Sequence, residues 1–493
     1  MCLDYEVKHT PAYAVPGGSP AAARLNRITM ILFKCVDYNA IKLPLYSRRK
    51  FTILDRTRKR RRNIMYTCNQ LLQALKGGQC DAALAAVYTA GGLDQARARA
   101  LHVTGALADA FAPRGGAALF SGPGRTELGG NHTDHQRGHV LCASVDMDML
   151  ACAAPNGRNI IRVQSEGYPT LEVDLSSLSP RPEEANTSAA LVRGVAEGIA
   201  QRGYPVGGFD VCAVSSVLSG SGLSSSAAYE ILMGNILNHF FCEGKLDAVE
   251  LAKIGQYAEN VHFGKLSGLM DQMGSSVGGA VAIDFSDPAN PAVRPISYDF
   301  TRSGHALCIV DTGSDHSARH LTEDYSDITR EMRSVAVHFG KQLLREVPEA
   351  DFRSAIPALR RECGDRAVLR ALHFYDDDRR AVQEADALER GDFAGFLALV
   401  NASGASSSLH LQNTWSTADP RQQAIPVALA FGRELLEGTG AIRVHGGGFA
   451  GTIQAFVPLE KLDAFRSGME ALLGPGMCHV LRVRPQGGCV VVS

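Results

Sequence analysis

The sequence predicts an α+β fold in two lobes, and three observations carry that expectation. Between about residues 118 and 311, strand-like runs alternate with helices able to cover them. After about residue 318 the pattern is helical for a long stretch and then closes on strand, glycines, strand. Three glycine-rich nodes fall where strands end, the places at which backbone can approach a ligand closely. A chain of 493 residues accommodates two to three domains. We set them at 1–64, 65–310 and 311–493.

The first segment does not match the rest. Residues 1–64 carry 14 basic and 4 acidic side chains, against 36 and 47 in the remainder. The run from Arg48 to Arg62 holds nine basic residues and the single acid Asp55. Such a run could bind phosphate backbone or lipid, or form a disordered, solvated extension. The reading preferred here is a non-native extension that precedes the real protein, because acceptable helix begins abruptly at Met65 with MYTCNQLLQALKGG.

The elements then follow in order. DAALAAVYTAGGLDQARARALHVTGALADAF reads as packed helices. AALFSGPGRTELGG is a strand running into a glycine-rich loop, and HVLCASVDMDMLACAAP, NIIRVQSEG and TLEVDL are strands. NTSAALVRGVAEGIAQRG is a helix with Asn186 or Thr187 as its N-cap. FDVCAVSSVLSGSG is a strand ending in glycines, followed by the helices SSSAAYEILMGNILNHFF and KLDAVELAKIGQYAENVHFG. GGAVAIDFSD and HALCIVDTG are strands. Helices from DYSDITREM to PRQQAIPVALAFGREL precede AIRVHGGGFAGTIQAFVP, the helix FRSGMEALLG and a last strand CHVLRVRPQ.

Composition narrows the function classes. With 45% hydrophobic and 20% charged residues the chain is globular, and its net charge of -1 offers no overall field for nucleic acid or an anionic membrane. Neither is expected as a partner. No run of 18 apolar residues occurs, and the start MCLDYEVKHT lacks the order of a signal peptide. The twelve cysteines form no CxxC, which suits buried thiols in a reducing compartment. We expect a soluble, cytoplasmic protein.

Chemistry concentrates in the glycine nodes. GSGLSSSAAYE brings glycines directly into a helix start, where unpaired N–H groups and the positive helix end suit a phosphate. Its hydroxyls, Ser224, Ser225 and Ser226, can cap the helix, bind phosphate oxygen or ligate Mg²⁺. GPGRTELGGNHTDHQRGH gathers Arg125, Glu127, Asn131, His132, Asp134, His135 and His139. The histidine spacing admits a metal, but a loop that hydrogen-bonds a hydroxyl-rich ligand fits better. In GLMDQMGS, Asp271 stands among Leu269, Met270 and Met273, and a buried acid needs a partner. That partner is Arg125 in a structural ion pair or in a site that orients a hydroxyl. Glu259 is either a solvated helix residue or a Mg²⁺ ligand facing Ser226.

Together the nodes resemble galactokinases of the GHMP sugar and metabolite kinase family, over essentially residues 95–493 and with the motifs in order. GPGRTELGGNHTDHQRG is similar to the usual PGRxNLIGEHTDYxxG, GSGLSSSAAYE to the phosphate loop, and VHGGGFAGTIQAF to the third motif. The resemblance implies an active site between two lobes, with Mg-ATP and galactose as partners and transfer of phosphoryl to the sugar C1 hydroxyl. It implies that Asp271 is the catalytic aspartate, Arg125 its stabilising arginine, and Ser226 and Glu259 the Mg²⁺ ligands. Gly220, Ser221, Gly222, Leu223, Ser224, Ser225 and Ser226 would surround the ATP phosphates. Asn131, His132, Asp134, Gly268 and Tyr325 would contact the sugar. Asn131 and Glu127 stand where the family generally has Glu and Asn, and His135 replaces the usual Tyr, so the exact sugar stays open, N-acetylgalactosamine among the alternatives. Because the family also contains non-catalytic sugar and ATP sensors, such a regulator is the other reading.

Overall fold

The computed structural model describes residues 65–493 apart from 89–91, 218–221, 266, 314–318 and 450; the basic stretch 1–64 and every reading made of it lie outside. Three helices come first: α1 (Cys68–Lys76), α2 (Asp81–Tyr88) and α3 (Leu93–Phe111). Thr67 starts α1 as a capping box, accepting from Gln70 N while its own N–H donates to Gln70 Oε1. The strands β1 (Ala118–Gly129), β2 (His139–Pro155), β3 (Ile160–Ser165) and β4 (Leu171–Asp174) follow. Next come α4 (Ser188–Gln201), β5 (Phe209–Ser215), α5 (Ser225–Phe241), α6 (Ala248–Tyr257) and α7 (Met270–Val277). Strands β6 (Ala280–Asp284), β7 (Ala292–Ile296) and β8 (His305–Asp311) lead to the helices α8 (Arg319–His338), α9 (Glu349–Glu362), α10 (Asp365–Glu389), α11 (Phe393–Ser406) and α12 (Ala424–Leu436). The chain closes with β9 (Ala441–Val444), β10 (Thr452–Pro458), α13 (Leu462–Leu473), β11 (Cys478–Leu481) and β12 (Cys489–Val492).

Two sheets organise these elements. The first runs β12-β1-β2-β5-β3-β4, with β6 and β7 branching from β2, because residues 149–155 of that long strand pair β5 while 139–143 pair β6. The second is antiparallel, in the order β11-β8-β10-β9. All twelve residues of β1 are buried. Leu119, Leu150 and Cys152 face α1–α3, while Phe120 and Ala151 share a core with α4 and α5. Helix α5 lies so close to β1 that a Cβ at Gly122 would stand 2.3 Å from the Ala228 carbonyl oxygen. Ile425, Leu429, Phe465 and Met469 of α12 and α13 cover the second sheet.

The structure moves several expected boundaries. The expected boundary at 310/311 falls at the end of β8, yet β8 already belongs to the second sheet and β12 returns to pair β1. No single cut along the chain separates the sheets. The expected loop at TELG is the end of β1, and GLMDQMGS, read only as an apolar stretch around Asp271, holds the first turns of α7. Strand β7 was hidden by Pro295, which is tolerated because β7 is an edge strand paired only with β6. Thr187 is the N-cap of α4, with its hydroxyl accepting from Ala190 N. Among the described residues no helix is long and apolar enough to cross a membrane.

A buried ionic network ties α2 and α3 to β1 and to the segment ahead of β12. The Asp148 carboxylate accepts from Tyr88 on α2, Arg99 on α3 (2.7 Å), Ser121 on β1 and Arg484 (3.3 Å), just ahead of β12. Burial would raise its pKa, but Arg99 and Arg484 outweigh this and hold it below the usual carboxylate range. Removing one partner of a buried ion pair leaves charge uncompensated, at about 3–5 kcal/mol. Asp148→Ala should therefore lower stability by about that amount, read as a fall in the urea midpoint.

Candidate active site

The site forms where β1, α5 and α7 meet. Arg125 extends from β1, 5% exposed, and donates through Nε (2.8 Å) and Nη2 (2.7 Å) to Asp271 Oδ1. Its Nη1 donates to the Gly222 carbonyl and its backbone N–H to Leu223 O (3.1 Å), so the glycine-rich segment ahead of α5 rests on this strand. Asp271 lies in the first turn of α7, where the helix dipole favours an anion. Its other oxygen, Oδ2, accepts from Ser224 Oγ at 2.5 Å. Burial alone would push the Asp271 pKa up; the charges of Arg125 and Lys265 and the Ser224 hydrogen bond outweigh it and hold the carboxylate below its ordinary value. Ser224 itself adopts a left-handed backbone (φ 58, ψ 66), a cost of about 1–3 kcal/mol for a non-glycine residue, and its hydroxyl points to Asp271 instead of capping α5.

In the first turn of α5 the metal-ligand candidates meet. Ser226 Oγ donates to Glu259 Oε1 at 3.0 Å, and Lys265 Nζ donates to the same oxygen at 3.1 Å. Glu259 Oε2 accepts from Ser267 Oγ (2.6 Å) and Gln272 Nε2 (2.9 Å). A buried carboxylate and a hydroxyl at a helix N-terminus are hard oxygen donors of the kind Mg²⁺ takes, so this donor set fits the ion. Gln272 Nε2 also reaches Glu230 Oε2 (3.0 Å), and burial together with the Glu259 charge pushes the Glu230 pKa well up. Glu230, Lys265, Ser267 and Gln272 were not singled out from sequence. Gln272 and Ser267 sit in or beside GLMDQMGS, a signal that could have pointed to them; Glu230 looked like any helix residue.

The remaining candidates divide into two groups. Asp134 lies against Gly268, where a side chain would have to displace the Asp134 carboxylate. The His132 and Tyr325 rings stand 5.0 Å apart, and Tyr325 OH pairs with His135 Nε2 at 2.9 Å. Burial, then the nearby His135, pushes the His132 pKa down to about 3, so its imidazole is neutral and faces the Gly447 carbonyl (2.9 Å). Asn131 is different. Its Nδ2 donates to Glu127 Oε1 (3.0 Å) and Gly446 O (2.8 Å), and its Oδ1 accepts from Asn413 Nδ2 (2.9 Å) and Ser407 Oγ (3.3 Å). Every hydrogen-bonding position of this fully buried amide is filled from within the chain. Glu127 pairs with the buried Arg443, which also donates to Leu128 O (3.2 Å). Gly222, Leu223, Ser225 and Ser226 lead into and open α5, while Gly220 and Ser221 lie outside the described residues. The three histidines that admitted a metal diverge: His139 contacts Asp378 and Asp284, away from His132 and His135.

Fold and site together define a GHMP kinase. The description "GHMP kinases N terminal domain" matches residues 190–279, and "Galactokinase galactose-binding signature" matches residues 108–155. Among solved structures, Lactococcus lactis galactokinase complexed with galactose aligns with a TM-score of 0.67 at 23% identity, covering 78% of this chain and 98% of that one. Methanococcus jannaschii mevalonate kinase aligns with a TM-score of 0.53 at 15% identity, covering 75% and 99%. These two likenesses establish the fold. A galactokinase of Streptomyces coelicolor (strain ATCC BAA-471 / A3(2) / M145) is 30% identical over 354 residues, 71% of this chain and 87% of that protein. The chain belongs to the galactokinase family.

Two measurements follow from this geometry. Because Arg125 holds Asp271 ionised, Arg125→Gln should raise the Asp271 pKa and move the acid limb of the kcat/KM profile to higher pH, whereas the parent keeps a carboxylate-limited loss below about pH 4. An unmoved limb would mean that Asp271 is not the group titrating. Asn131→Ala should cost about 1–3 kcal/mol for the buried partners it strands, seen in the unfolding midpoint, with little change in sugar KM. Asp134→Ala should do the reverse.

Proposed function

We propose that this chain transfers the γ-phosphoryl group of Mg-ATP to the C1 hydroxyl of galactose, giving galactose 1-phosphate and ADP. The observation that carries the reading is an Asp271 carboxylate held ionised by Arg125 with its second oxygen turned to a hydroxyl, that of Ser224. In the loaded enzyme the sugar C1 hydroxyl takes the place of Ser224 at Oδ2. The C1 oxygen then forms its bond to the γ-phosphorus while the bond from that phosphorus to the β–γ bridging oxygen breaks. A carboxylate with a lowered pKa is a weak base, so Asp271 chiefly orients the hydroxyl and receives its proton late, once the C1 oxygen has lost electron density to phosphorus. Arg125, anchored on Gly222 O and Asp271, faces the charge that develops on the transferring oxygens. Ser226 and Glu259 would hold Mg²⁺, which when bound compensates phosphate charge.

On the sugar side we assign contacts to Asp134, Gly268, His132 and Tyr325. The Asp134 carboxylate is acceptor-only and lies against Gly268, three residues ahead of Asp271, which suits a group gripping sugar hydroxyls near the reacting carbon. Asn131 we assign to support of the loop, because it has no hydrogen-bonding capacity left for a ligand. The ten described cysteines are all free, in keeping with a cytoplasmic setting.

A coupled ADP-release assay tests the reading. Galactose should support turnover with kcat/KM at least about tenfold above glucose, the discrimination expected when a buried hydrogen bond is left unmade in the wrong epimer. Asp271→Asn should cut kcat by at least about two orders of magnitude while nucleotide still binds. Turnover within threefold of the parent in that variant, or no ADP release with any hexose, would defeat the proposal.

A further inference from the structure

Lys265 is a charged side chain in the site to which the reaction above gives no part. Its Nζ donates to Glu259 Oε1 at 3.1 Å, the oxygen that also accepts from Ser226 Oγ. With Ser267 and Gln272 on Oε2, the Glu259 carboxylate carries four donors, as many as its lone pairs accommodate. A divalent ion that reaches Glu259 and Ser226 must therefore displace a donor. Lys265 is the only one of the four that bears a charge, and an ammonium and a dication on one oxygen repel. It is also the one best able to leave: its side chain is 57% exposed on a long flexible stem, whereas Gln272 is fully buried. Gly264, just before it, has a left-handed backbone (φ 91) that turns the chain out of the preceding helical segment. Lys265 is close enough to Asp271 for its charge to act on that carboxylate. A displaced ammonium thus stays beside the reacting centre, next to the helix end where phosphate oxygens arrive.

We propose that Lys265 is the resting occupant of the cation position at Glu259, is displaced when a divalent ion binds, and then pairs with the oxygens of the transferring phosphoryl group. The proposal rests on the kinase reading above. It gives Lys265 two opposed effects: in the resting chain it competes with the metal, and in the loaded chain it assists transfer. A surface ion pair would do neither.

The test uses Mn²⁺ as probe, with AMP-PNP present and free Mn²⁺ read by electron paramagnetic resonance, on the full chain and on Lys265→Met, Lys265→Arg and Glu259→Gln. Thermal melting verifies that each variant is folded. Lys265→Met should bind Mn²⁺ about three- to fivefold more tightly, the scale of a half-exposed ion pair removed from competition. Its kcat for galactose should fall about tenfold, for loss of a positive charge at the phosphoryl group. Lys265→Arg, which keeps the charge, should stay close to the parent in Mn²⁺ affinity. Unchanged or weaker Mn²⁺ binding by Lys265→Met overturns the competition, and an unchanged kcat overturns the pairing with phosphoryl oxygens. If Glu259→Gln binds Mn²⁺ as the parent does, the metal reading of Glu259 fails and this inference with it, while galactose turnover in the parent still stands as evidence for the kinase.

Discussion

The pairing of Arg125 with Asp271 is the contact around which the site is arranged. Arg125 is buried and the Asp271 side chain only 20% exposed, and a carboxylate there stays charged only if cations and hydrogen bonds outweigh its desolvation. The guanidinium meets that need with two donors on one oxygen and uses its third nitrogen on the Gly222 carbonyl. One side chain thereby aligns three elements: the strand that carries it, the first turn of α7, and the residues that lead into α5. The close approach of α5 to β1 at Gly122 serves the same end, since any side chain there would push the helix start away from Arg125.

Behind this pair lies a second layer of buried polar groups that ties distant motifs into one unit. Asn131 grips the Gly446 carbonyl and His132 the Gly447 carbonyl, so the first glycine node is fastened to the third. Arg443 from β9 meets Glu127 on β1, and Asp377 on α10 accepts the Asn131 backbone N–H at 2.7 Å. Such a layer is worth little to stability compared with apolar packing, but each unmade contact in it is expensive, which makes its geometry sharply defined. It holds the segment that carries His132 and Asp134 in a single arrangement.

The sequence was a good guide wherever the signal was local. Helix periodicity located α1 to α6 and α8 to α13, and alternation located the strands of both sheets except β7 and β12. Pro295 disguised the first of these, and the second is four residues at the end of the chain. Of the candidate residues, Asp271, Arg125, Ser224, Ser226, Glu259, Asp134 and Gly268 come together in neighbouring contacts. Asn131 shares the same short motif but is turned inward. Position in a motif shows that a residue is near the site, not which way its side chain points.

By itself the sequence determined the fold class, the family resemblance and the candidate residues of the site, because these depend on periodicity, on glycine, and on residue types at close spacing. Only the tertiary structure decided which groups are charged and which are occupied. Glu230 and Glu259 are both helix-region glutamates, yet burial and the Glu259 charge push the Glu230 pKa well up, while Glu259 collects Ser226, Ser267, Gln272 and Lys265. The partners of Glu259 lie 33, 8, 13 and 6 residues away, and those of Asn131 as far as 315. Protonation and hydrogen-bond saturation depend on the sum of charges and donors within a few ångströms, and in a folded chain that neighbourhood is drawn from segments that sequence order keeps far apart.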